Sequence, residues 1–125
     1  MANQLIFIVD DDAPLRGLMS ALLEDRGYAV QEFESGKALL EALDDNPSLI
    51  LLDVMMPGID GPTTLQRLRE IPELKQTPVI FMTAKVQPQE VAGYKNMGAL
   101  DVVAKPFDPM TLAEKVKSIW EGRYD

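Results

Sequence analysis

Read for its pattern of apolar and polar positions, the chain alternates between two periods. Leu5-Ile6-Phe7-Ile8-Val9, Leu49-Ile50-Leu51-Leu52 and Val79-Ile80-Phe81-Met82 are unbroken apolar runs. Runs of this length between turn formers predict strands buried on both faces. Tyr28–Phe33 is a more polar strand, expected at an edge, and Asp101–Ala104 is the last one. Between them the period changes to that of a helix. Leu15, Leu18, Met19, Leu22 and Leu23 form one stripe, with Asp12 as cap, Pro14 in the first turn and Gly27 past the end. Ser35 opens a short helix running to Asp45, with Leu39, Leu40 and Leu43 inward. Pro62 opens another, with Leu65 and Leu68 inward, that Pro72 closes. A helix from Pro88 to about Met97 has poor periodicity, with Val91, Tyr94 and Met97 on one side and Gly93 weakening it by about 1 kcal/mol relative to alanine. The final helix is capped by Asp108 and opened by Pro109, with Leu112, Val116, Ile119 and Trp120 inward.

Strand and helix thus alternate five times with short connections. Such units predict an α/β fold with a parallel sheet, right-handed crossovers and helices on both faces. Five strands favour the doubly wound, flavodoxin-like order 2-1-3-4-5, whose switch point lies between the first and third strands. Chemistry in these sheets gathers beyond the carboxyl ends of the strands. There the first strand ends in Asp10 and Asp11, the third in Asp53, the fourth in Thr83 and the fifth in Lys105. The topology therefore brings three carboxylates from distant parts of the sequence together.

Composition narrows the chemistry available. The chain of 125 residues has neither cysteine nor histidine. That removes disulfides, thiolate metal sites, imidazole acid–base catalysis and histidine-ligated zinc. Any metal must be held by oxygen, which points to magnesium, calcium or manganese. A net charge of −8 argues against nucleic acid and anionic membranes as direct partners. Without a spanning apolar run or a secretion-type N-terminus, the expected location is the cytoplasm.

Each strand-end residue has an ordinary structural reading when taken alone. Asp53 can cap, a lone lysine is usually at the surface, and the run Asp10-Asp11-Asp12 can be a solvated loop. Together they carry a chemistry. Clustered carboxylates raise one another's pKa unless a cation neutralises them, and Mg²⁺ does so with six oxygen ligands. An ammonium from Lys105 and a hydroxyl from Thr83 complete a site for phosphoryl transfer onto an aspartate, with an acyl phosphate as product. An ionised carboxylate has no proton to lose, so the absence of histidine is no obstacle.

Val9-Asp10-Asp11, Asp53-Val54-Met55-Met56-Pro57-Gly58, Met82-Thr83-Ala84 and Gly98-Ala99 through Lys105-Pro106-Phe107 resemble the receiver (CheY-like) domain of two-component response regulators. The resemblance runs from about Leu5 to Trp120. It implies that Asp53 is a phosphoacceptor served by the phosphohistidine of a histidine kinase or phosphotransfer protein. It also implies that Asp11 binds Mg²⁺ directly, Asp10 through water, and Met55 through its backbone carbonyl. Thr83 corresponds to the switch hydroxyl and Lys105 to the lysine that binds a phosphoryl oxygen, with a cis bond expected before Pro106. Met55 and Lys85 stand where the family tunes dephosphorylation. The surface near strands four and five and the fourth helix would then change for a downstream protein target, or for a phosphorylation-dependent homodimer.

One position departs from the pattern: the family's usual Tyr or Phe three residues before the lysine is Val102 here. Ring rotation cannot report the switch at that position, so the loop after Thr83 and the weak helix from Pro88 to Met97 are expected to carry it. The stretch after Trp120 is short and polar, so residues 1–125 read as one receiver unit with a core of about 5–120, stand-alone or cut from a larger regulator or hybrid kinase. Two other readings stay open at this level. One is a receiver-like adaptor that is not phosphorylated. The other is a haloacid-dehalogenase-type phosphatase with Asp10 as nucleophile, for which Asp10-Asp11-Asp12 supplies an Asp-x-Asp but which leaves Asp53 unexplained.

Overall fold

The computed structural model describes residues 4–42 and 45–122. Its elements are β1 (Leu5–Val9), α1 (Ala13–Glu24), β2 (Ala29–Phe33), α2 (Gly36–Glu41), β3 (Leu49–Asp53), α3 (Gly61–Arg69), β4 (Val79–Thr83), α4 (Pro88–Asn96), β5 (Asp101–Ala104) and α5 (Leu112–Gly122), with a 3₁₀ turn at Pro72–Leu74. The strands form one parallel sheet in the order β2-β1-β3-β4-β5, as their alternation with helices predicts.

The period of two along each strand divides the core into two layers. Phe7, Val9, Ile50, Leu52, Phe81 and Val102 pack on one face with Leu39, Leu65 and Leu68. Ile6, Ile8, Leu49, Leu51, Ile80, Met82 and Val103 pack on the other with Met19, Leu23, Leu112, Val116 and Trp120. Each of these large side chains contributes about 1.5–3 kcal/mol by leaving water. β3 and β4 are buried at every position, which is why they read as unbroken apolar runs. β2 pairs only with β1 and keeps Gln31 and Glu32 exposed, as expected of an edge.

The helix signals hold with local exceptions. Asp12, Ser35 and Asp60 each accept a hydrogen bond from the backbone N–H three residues on, which starts α1, α2 and α3. α2 ends at Glu41, short of Asp45, and Leu43 lies outside the described residues. Pro72 begins the 3₁₀ turn, three residues beyond the end of α3 at Arg69. α5 starts at Leu112 and not at Pro109. The Asp108 carboxylate takes the Met110 N–H, and its carbonyl takes those of Thr111 and Leu112, so a turn over 109–111 precedes the helix. In α4, Val91 and Tyr94 pack against the core at half burial while Met97 is 51% exposed, and no residue is buried. No described helix is long and apolar enough to cross a membrane.

Candidate functional site

β1 and β3 run side by side with Val9 opposite Leu52, so the residues that follow, Asp10 and Asp53, leave the sheet together at its switch point. Both are buried, at 1% and 6% exposure. Lys105, just beyond β5, reaches across β4 between them. Its Nζ lies 2.7 Å from Asp10 Oδ2 and 3.1 Å from Asp53 Oδ1. The Lys105 N–H also bonds the Thr83 carbonyl at 2.9 Å, which pins the lysine to the end of β4. Thr83 is itself buried, and its Oγ1 accepts the Lys85 N–H at 3.1 Å. Asp11 is exposed, yet one carboxylate oxygen each from Asp10, Asp11 and Asp53 falls within a span of 4.8 Å. The peptide before Pro106 is cis, as expected.

The loop after β3 comes back over the site. The Met55 N–H donates to the Asp53 carboxylate, while the Met55 side chain is 66% exposed. Gly61 opens α3 directly against the Asp53 backbone: a Cβ there would stand 2.5 Å from the Asp53 carbonyl oxygen and 2.8 Å from the Val54 Cα. Only glycine lets the helix start that close. A cleft of about 470 Å³ along this loop is lined by Val54, Met55, Met56, Asp60, Lys85 and Tyr94.

Burial raises the Asp53 pKa, the neighbouring Asp10 charge raises it further, and the hydrogen bonds from Lys105 and Met55 pull against both. For Lys105, burial acts to lower the pKa, but its bonds and charge contacts with Asp10 and then Asp53 outweigh that, and its pKa is raised. Three carboxylates against one ammonium leave the cluster under-neutralised. Its donors are all oxygens, two of them buried and paired with Lys105 and one, Asp11, exposed. This donor set fits a hard divalent cation such as Mg²⁺.

The structure therefore brings Asp10, Asp11, Asp53 and Lys105 into one cluster. Thr83 stands at the adjoining strand end, and Met55 meets Asp53 through its backbone. One participant was not singled out from the sequence. Arg16 Nη1 donates to the Asp10 carbonyl at 2.7 Å, and Arg16 Nε to Glu32 Oε1 at 2.9 Å. A signal for it existed, since a cation in the first turn of a helix opposes the helix dipole and calls for a compensating partner.

A five-stranded 2-1-3-4-5 sheet with an acidic cluster and a lysine at its switch point defines a CheY-like α/β domain. The family model for the response regulator receiver domain matches residues 6–117, and the chain belongs to that family. It is 41% identical over 116 residues to the transcriptional regulatory protein ResD of Bacillus subtilis, covering 91% of this chain and 47% of that protein. With CpxR of Escherichia coli the identity is 40% over 114 residues, covering 91% and 48%. The chain spans about half the length of these curated relatives. Among solved structures, the chemotaxis protein CheY4 of Vibrio cholerae is 30% identical, with a TM-score of 0.86, covering 94% of this chain and 99% of that one. The chain is thus a receiver domain of two-component signalling, a class that receives phosphoryl groups from kinases.

Proposed function

We propose that Asp53 is the residue phosphorylated, that the donor is a phosphohistidine on a histidine kinase or phosphotransfer protein, and that Mg²⁺ is the cofactor. The observation that carries this reading is Lys105 Nζ held between Asp10 and Asp53 from two neighbouring strands. That arrangement places a fixed positive charge beside the one carboxylate that the loop after β3 and Gly61 both address. Asp10, Asp11 and Asp53, with the Met55 carbonyl, would hold a divalent cation, which would supply the remaining positive charge needed for carboxylates and phosphoryl oxygens to approach one another.

Asp53 acts as nucleophile in its ionised form. One of its oxygens bonds to phosphorus, the phosphorus–nitrogen bond of the donor breaks, and the electron pair stays on the imidazole. Lys105 is positioned to pass from the Asp53 carboxylate to a phosphoryl oxygen, so its charge follows the charge being transferred. The Thr83 hydroxyl can turn from the Lys85 N–H toward the new group. This exchange links the site to the loop that leads into α4, and through it to a surface for a downstream protein target.

The test is labelling with acetyl phosphate and Mg²⁺, read as the mass increment of one phosphoryl group. Labelling is expected in the wild type and in Thr83→Ala, and absent in Asp53→Asn. An unlabelled wild type would favour an adaptor that works without phosphorylation, and a label lost in Asp10→Asn but kept in Asp53→Asn would overturn the assignment of the nucleophile.

A further inference from the structure

We infer that Arg16, braced by Glu32, is a positioning residue for the metal site: it sets the peptide from which the Asp11 carboxylate projects. Every polar function of Asp10 is engaged. Its N–H donates to the Phe33 carbonyl at 3.1 Å, Oδ1 accepts the Asp12 N–H at 2.9 Å, and Oδ2 accepts Lys105 at 2.7 Å. Its carbonyl accepts Arg16 Nη1 at 2.7 Å. That carbonyl belongs to the Asp10–Asp11 peptide, and a peptide is planar, so holding its oxygen fixes the Asp11 Cα from which the carboxylate projects. Arg16 can do this because its own plane is held at a second point. Glu32 Oε1 takes its Nε at 2.9 Å, and the arginine side chain is only 17% exposed. Glu32 precedes Phe33 at the end of β2. The edge strand therefore grips both sides of Asp10, the N–H directly and the carbonyl through Arg16.

Asp11 is the exposed member of the cluster, whereas Asp10 and Asp53 are buried and paired with Lys105. Its approach to the other two is thus the step most dependent on an external brace. The inference rests on the metal reading above, and it makes a prediction that simple electrostatics reverses. Arg16 is a cation near an acidic metal site, so if it acted only as a charge its removal would tighten Mg²⁺ binding. If it positions Asp11, removal weakens binding, by about 10-fold or more as for other residues that orient metal ligands.

The experiment is calorimetric titration of the metal-free protein with Mg²⁺, alongside urea unfolding to confirm that each variant is folded. Arg16→Gln is expected to raise the Mg²⁺ dissociation constant about 10-fold. Arg16→Lys, which keeps the charge without the rigid fork, should fall between it and wild type. Glu32→Gln keeps an oxygen for Arg16 Nε and should stay near wild type. If Arg16→Gln does not fold, Glu32→Ala replaces it, with a smaller loss expected. Acetyl phosphate labelling of Arg16→Gln should be slow at low Mg²⁺ and recover at saturating Mg²⁺. Unchanged or tighter Mg²⁺ binding in folded Arg16→Gln, or a labelling defect that persists at saturation, would overturn the inference. A wild type that binds Mg²⁺ but is never labelled at Asp53 would instead defeat the phosphoryl-transfer reading and leave this one standing.

Discussion

Asp53 is held between opposing effects, and their balance sets a pH dependence. Burial and the Asp10 charge raise its pKa above the ordinary 3.8, while Lys105 and the Met55 N–H restrain the rise. As the proposed nucleophile, Asp53 would act ionised, so the initial rate of labelling by acetyl phosphate at fixed Mg²⁺ should fall as pH is lowered through the raised value. Lys105, whose own pKa is raised, stays cationic across the neutral range and adds no limb there. The linkage to stability runs the opposite way. A carboxyl with a raised pKa in the folded state favours the protonated form, so its contribution is greatest below the unfolded value and is lost as pH rises through the folded one. Asp53→Asn should therefore unfold at a higher urea concentration than wild type at pH 7, with the gap closing toward pH 3. A constant gap across that range would show that the charge is not the cause.

Among the elements, α4 is the least anchored. It buries no residue, and Val102 in β5 offers no ring to seat it. What holds it is a Gln87–Glu90 capping box at the start, Tyr94 packed edge-on against Phe81 at 5.3 Å, and contacts at its far end. There Arg69, at the close of α3, donates to the Leu74 carbonyl at 2.9 Å, the Thr77 carbonyl at 2.7 Å and the Gly98 carbonyl at 3.1 Å. One half-buried guanidinium thus ties α3, the connection into β4 and the turn after α4. Arg69→Ala leaves these carbonyls short of a charged donor and should cost about 2 kcal/mol in urea unfolding. The weak anchoring of α4 also bears on switching. With the beryllofluoride phosphoryl mimic and Mg²⁺, hydrogen exchange should change most in residues 84–97 and little in β1 and β3. Unchanged protection throughout 84–97 would refute a role for this segment.

For the whole molecule, the acidic cluster is a local concentration of the −8 net charge, and a bound divalent cation should stabilise the native state by mass action. At Mg²⁺ ten times its dissociation constant the gain is about 1.4 kcal/mol. Asp11→Asn should remove most of that gain while leaving the metal-free stability close to wild type, because Asp11 is exposed. Equal Mg²⁺ stabilisation of wild type and Asp11→Asn would place the ion elsewhere.

The sequence alone determined the strands, the sheet order and the strand-end cluster. A short apolar run between turn formers is too brief for a helix and reads as a strand buried on both faces, and alternation with helices allows few topologies. The short-range caps at Asp12 and Ser35 were legible for the same reason, since each bonds within three residues. Other features are contacts between segments distant in sequence, and only tertiary structure decided them. Lys105 meets Asp10 across 95 positions and Arg69 meets Gly98 across 29. Arg16 lies close to Asp10 in sequence, but its brace on Glu32 exists only because β2 pairs with β1. Local signals also could not decide where α5 begins. Asp108 and Pro109 suit a helix start, yet both the carboxylate and the carbonyl of Asp108 are used by a turn before it. Hydrophobic period reports what is buried; it does not report which polar groups, brought together by that burial, will bond to one another.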